Sequence, residues 1–158
     1  MRSDFLKMNN NDILKMSMDK KFDVVLMNPP YDNELGNNFL EKTPAMTDKV
    51  PEEYWSDPTK TFCEPCFGNG QFVLYIIWNR IQHGIDWETA LRTTYGVELM
   101  QDNVYETHGR IFKMLSAMGI DFDDDLAFDI MLQNLVCSDF FEWDFDNWCP
   151  KTHTKHVK

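Results

Sequence analysis

The chain has 158 residues, 43% of them hydrophobic and 26% charged, with seven glycines, seven prolines and a formal net charge of −11. That length fits one domain able to bury a core, and that balance excludes both a disordered chain and a fibrous repeat. The acidic excess weighs against a broad phosphate-binding face, because non-specific nucleic-acid affinity comes mainly from Lys and Arg neutralising phosphates.

In chain order, Phe22 to Met27 reads as a buried strand, stopped at its carboxyl end by Asn28-Pro29-Pro30-Tyr31. A polar connector follows, punctuated by Pro44, Pro51 and Pro58, with room for short helical turns such as Pro51 to Trp55. Thr61 to Pro65 is a short strand, and Glu64-Pro65-Cys66-Phe67-Gly68-Asn69-Gly70 forms a tight turn. Gln71 to Gln82 is then an apolar helix ended by Gly84. Asp86 caps a helix running to Arg92, Thr93 to Leu99 is a β-branched and aromatic strand, and Asn103 to Met118 is a helix stopped by Gly119. Asp121 to Asp125 reads as a solvated acidic loop, Leu126 to Met131 carries no clear pattern, and Leu132 to Cys137 is the last strand. Alternating strands and helices imply an α/β fold: a Rossmann-like, mainly parallel sheet of about four or five strands with helices on both faces. One domain over residues 1–150 is expected, comprising a part at 22–31, a connector at 32–60, a ligand-binding part at 61–143, and a tail at 151–158.

The longest apolar stretches, Phe22 to Met27 and Phe72 to Trp78, are shorter than the roughly 20 residues of a membrane span, and no signal-peptide pattern is present, so a cytoplasmic address is the default. Four cysteines without a paired framework fit a reducing compartment. Cys63 and Cys66 form a CxxC without a second pair, and Cys149, His153 and His156 lack a fourth ligand, so no metal is expected.

The chemistry gathers at strand ends. Gly68 and Gly70 permit backbone angles closed to other residues and let a ligand approach the main chain. The following helix presents unpaired amides suited to a carboxylate, while Glu64 suits an ammonium group. Glu98 ends the next strand, where a carboxylate accepts from two ribose hydroxyls. After the last strand, Asp139 accepts from an adenine amino group and Phe140 stacks on the base. Amino acid, sugar and base together describe S-adenosyl-L-methionine. In Asn-Pro-Pro-Tyr, the Asn28 side-chain oxygen and the Pro29 carbonyl are two acceptors able to grip one amino group, Pro30 helps hold the extended geometry, and Tyr31 stacks on a base. A sulfonium methyl is already activated, so catalysis is largely in-line positioning.

These motifs resemble those of the DNA amino-methyltransferases, particularly the adenine-specific branch, over about Ser3 to Trp143. The resemblance implies Asn28, Pro29, Pro30 and Tyr31 as the catalytic motif, and Glu64, Pro65, Cys66, Phe67, Gly68 and Gly70 as the cofactor loop. Phe72 matches the apolar residue that follows that loop, and Thr43-Pro44 with Val50-Pro51 and Trp55 resembles the lead-in of viral and phage members. It further implies that Glu98 binds ribose, that Asp139 and Phe140 bind the cofactor adenine, and that the target base is flipped out of DNA toward Asn28.

The catalytic motif precedes the cofactor loop, as in permuted members, and Ser3-Asp4-Phe5-Leu6 echoes Ser138-Asp139-Phe140-Phe141. The family's sheet has more strands than this sequence supplies, and no stretch has the size of a target-recognition domain, so a truncated domain needing a partner chain or an oligomer is expected. Two alternatives stay open. Protein-glutamine and RNA amino-methyltransferases share the pattern, and a catalytically inactive fragment would bind cofactor or a partner alone.

Overall fold

The computed structural model describes residues 22–26 and 49–152. Within them β1 (Val24–Val25), β2 (Phe62–Glu64), β3 (Thr94–Glu98) and β4 (Leu135–Cys137) form a wholly parallel sheet in sequence order. Short runs of β-branched and aromatic residues suit these positions, because both sheet faces are covered and every residue of β2 is buried. Registers pair Val24 with Phe62, Phe62 with Thr94 and Gly96 with Leu135.

Parallel neighbours need long crossovers, and these carry α1 (Glu52–Ser56), α2 (Gln71–Gln82), α3 (Trp87–Arg92), α4 (Gln101–Ala117) and α5 (Asp124–Asn134). Crossovers of one hand that step across a sheet in one direction lie on one face. Accordingly Val73, Ile77, Leu91, Ile111 and Ile130, from α2 to α5, share a single buried cluster. On the same face Trp55 of α1 stacks on Phe62 at 5.1 Å, beside Val24, Leu26 and Ile76. Burying each such large side chain contributes about 1.5–3 kcal/mol.

Arg80 of α2 is fully buried. Its guanidinium donates to Asp57 O at 2.6 Å and to Thr93 Oγ1, and lies 4.9 Å from the Phe62 ring centre. It thereby ties together the segments that enter β2 and β3.

The other face is different. Thr94 donates to Ala90 O of α3, so its neighbour Tyr95 points away from the helices. There Tyr95 meets Phe22 at 5.3 Å and Trp148 at 4.9 Å. Trp148 belongs to a small antiparallel hairpin, β5 (Trp143–Asp144) and β6 (Cys149–Pro150), and has φ 53. Of the two helix layers expected, the described residues show one, and this aromatic hairpin lies against the opposite side.

Most expected elements fall within a residue or two of their positions: Asp86 caps α3 by accepting from Thr89 N at 3.0 Å, as its place in the sequence implies. The region before β4 is a correction. Asp121 to Asp125 is not simply an acidic loop, and Leu132 to Asn134 is not strand. Asp123 caps α5, accepting from Leu126 N at 3.0 Å, and Asp124 and Asp125 occupy the first turn, where the helix dipole favours negative charge. Ala127, Ile130, Met131 and Asn134 then face inward at helical spacing. Asn134 ends the helix by donating to Leu91 O and Arg92 O at 3.2 and 3.0 Å, so the strand starts only at Leu135.

Candidate functional site

A parallel sheet gathers all its carboxyl ends on one edge, and here Glu64, Glu98 and Cys137 end successive strands. β1 joins them: Leu26 N donates to Cys63 O at 2.9 Å, so the chain leaves β1 beside Glu64. Asn28, Pro29, Pro30 and Tyr31 lie outside the described residues, as do His153 and His156.

Between β2 and α2 the chain turns through Gly68 (φ 58) and Gly70 (φ 90), left-handed angles that favour glycine. Gly70 is also forbidden a side chain by contact, since a Cβ there would lie 2.4 Å from Thr107 Cγ2 and 2.6 Å from Thr107 Oγ1. Phe67, fully buried in the helix-side core, can lie across β3 because residue 96 has no side chain; a Cβ there would meet Phe67 Cδ2 at 2.6 Å. Phe72 is likewise enclosed in the core, and Pro65 is buried. These apolar residues of the motif shape the turn from beneath.

Two carboxylates form the floor. Glu64 is fully buried, and its Oε1 accepts from Cys66 N at 3.0 Å. Glu98 is 3% exposed: Oε1 accepts from Gly68 N at 3.1 Å, and Oε2 accepts from Met100 N at 3.0 Å and Asn103 Nδ2 at 2.9 Å. Oε1 also lies 3.8 Å from the Cys66 thiol, so Glu98 is first a pin, each of its oxygens taking two donors, that fastens the loop to the start of α4. Four of the five amides from Cys66 to Gly70 donate inward, to Glu64 Oε1, Val97 O, Glu98 Oε1 and Phe67 O. A loop so used does not offer the row of outward amides that a pyrophosphate requires. With two buried carboxylates beneath it, the site suits a cationic ligand.

Ser138 N donates to Glu98 O at 2.9 Å, extending the β3–β4 pairing and bringing Asp139 out just past the end of β3. Asp139 Oδ1 accepts from Phe141 N at 2.9 Å and starts a one-turn 3-10 helix, Phe140–Glu142. The half-buried Phe140 ring packs on Phe141 and Phe145, 5.2 and 5.0 Å between centres. Asp139 and Phe140 thus stand at the same sheet edge as the two glutamates, one strand further along.

Burial pushes the Cys63 thiol well above its ordinary value, and the Glu64 charge adds to this. Cys137, beside Glu98, is raised for the same two reasons. Three side chains at this edge, Asn103, Thr107 and Arg110, escaped the sequence reading; their i, i+4, i+7 spacing on α4 was the available signal. Comparison with protein-family models, curated proteins and solved structures returned no match. Among the described residues no helix is long and apolar enough to cross a membrane.

Proposed function

We propose that the chain is an S-adenosylmethionine-dependent methyltransferase acting on the exocyclic amino group of adenine in DNA, in the cytoplasm of a bacterium or a virus-infected cell. What carries the proposal is the parallel pairing of β1 with β2: Leu26, two residues before Asn28, leaves the sheet at the edge that bears Glu64 and the glycine loop. The donor set fits this cofactor better than a nucleotide polyphosphate or a dinucleotide, because buried carboxylates attract a sulfonium and an ammonium and repel phosphate.

In this assignment the bound cofactor supplies an activated methyl group. Glu64 would hold the ammonium, the start of α2 the carboxylate, and Glu98 the ribose, a ribose hydroxyl replacing the weak contact with the Cys66 thiol while Gly68 N stays bound. Asp139 and Phe140 take the adenine. The Asn28 side chain and the Pro29 carbonyl accept from the target amine, and Tyr31 stacks on the target base. The net charge of −11 favours one alternative acceptor, a protein amide, over nucleic acid.

Calorimetry with S-adenosylmethionine tests the cofactor. Wild type binds, and Gly68→Asp does not, since it adds a further carboxylate to a turn whose Gly68 amide is already held by Glu98 and puts a side chain where the ligand is to approach the main chain. Equal binding by both proteins defeats the assignment. Asn28→Ala keeps binding and loses methyl transfer. Labelled cofactor offered separately with unmethylated DNA, RNA and peptide identifies the acceptor; label in peptide alone overturns DNA.

A further inference from the structure

We infer that one stripe of α4, Asn103, Thr107 and Arg110, is a positioning device that sets the shape of the glycine loop from behind. It takes the identity of the ligand from the cofactor proposal above, but its contacts stand independently. The three residues recur at helical spacing and so present one face to the turn. Asn103 Nδ2 donates to Glu98 Oε2 at 2.9 Å, and Glu98 Oε1 in turn receives Gly68 N at 3.1 Å. Thr107 is fully buried; its hydroxyl lies 2.8 Å from Asn103 O and 3.4 Å from Gly68 O, and its methyl fills the space a side chain at Gly70 would need. Arg110 Nη1 donates to Asn69 O at 2.8 Å.

Every residue from Gly68 to Gly70 therefore meets the stripe, directly or through the Glu98 carboxylate. The consequence is chemical as well as mechanical. Charge-assisted hydrogen bonds at both ends, the Glu98 carboxylate on Gly68 N and the Arg110 guanidinium on Asn69 O, are about twice as strong as neutral ones. They orient the Phe67–Gly68 and Asn69–Gly70 peptides before any ligand arrives, and a preorganised loop binds more tightly because less ordering is left to do. None of the three side chains has to touch the ligand for this.

The variants are Asn103→Asp, which keeps the shape and sets a like charge against Glu98, Arg110→Ala, and Arg110→Lys as the conservative partner. Two readouts are taken on the full chain. Amide hydrogen exchange of Gly68 and Gly70 is expected to quicken about tenfold in Asn103→Asp and Arg110→Ala, with β3 and the middle of α2 unchanged. S-adenosylmethionine is expected to bind those two variants about five- to tenfold more weakly, with Arg110→Lys recovering most of the loss. Unchanged loop exchange in both variants overturns the inference, as does quickened exchange spread equally over the sheet, which signals a merely structural role. If wild type fails to bind the cofactor while loop exchange still responds, the cofactor proposal falls and the positioning role stands.

Discussion

Gly70→Ala isolates the contact on which the glycine turn depends. An alanine at φ 90 incurs a left-handed penalty of about 1–2 kcal/mol. Its Cβ would also sit 2.4 Å from Thr107 Cγ2 and 2.6 Å from Thr107 Oγ1, overpacking that costs about 1–3 kcal/mol in a buried position. The two parts separate in a double-mutant cycle, because Thr107→Ala removes both clashing atoms and leaves the backbone strain. Thr107→Ala alone costs about 1–2 kcal/mol for its lost packing and hydrogen bond. Urea unfolding followed by tryptophan fluorescence should then show Gly70→Ala losing about 2–5 kcal/mol, with the double variant more stable than the sum of the singles by at least about 1 kcal/mol. Single costs that add to within about 0.5 kcal/mol would refute the steric account, since independent sites behave that way.

Two histidines give opposite dependences on pH. Both ring nitrogens of His83 face acceptors, Asn79 O at 2.7 Å and Glu52 Oε1 at 2.8 Å, which requires the doubly protonated ring, and the Asn79 carbonyl followed by Glu52 raises its pKa above the ordinary 6.5. Its contribution is complete below about pH 6.5 and is lost as pH rises through the folded-state value. Glu52→Gln should lower the His83 midpoint in an NMR titration, and an unmoved midpoint would contradict the pairing. His108 is 4% exposed, its Nε2 lies 3.1 Å from Leu135 O, and burial lowers its pKa despite that bond. Its stabilising effect is present above about pH 6.5 and is lost as pH falls toward the folded-state value, because the charged ring must be buried. Thermal melts of His108→Gln between pH 7 and 5 should show a flatter acid limb than wild type; parallel curves would count against His108 as the source.

What was legible in the sequence was local. Gly68, Gly70 and the apolar run after them specify a strand, turn and helix within one short stretch, and Asp86 marks its helix through a bond to a residue three positions on. Leu132 misled because an apolar run before Leu135-Val136 fits helix or strand equally, and the deciding bonds of Asn134 go to Leu91 and Arg92 on another helix. The partners of Glu98 were likewise invisible as a set: Met100 and Asn103 are near, but Gly68 is 30 positions away. The aromatic hairpin was the least accessible feature. Trp148 is held by Phe22, Tyr95 and the carbonyl of Gln133, from three separate parts of the chain.

The order of the strands also governs how the chain reaches this fold. Each pair of sheet neighbours is separated by more than thirty residues, so no strand can find its partner through a tight turn. The intervening helices must collapse before backbone pairing offsets the entropy of closing such loops, which places the protein among slow folders for its length. Until then each unpaired edge is open to a second chain, and refolding at low protein concentration should favour recovery of the native sheet over aggregation.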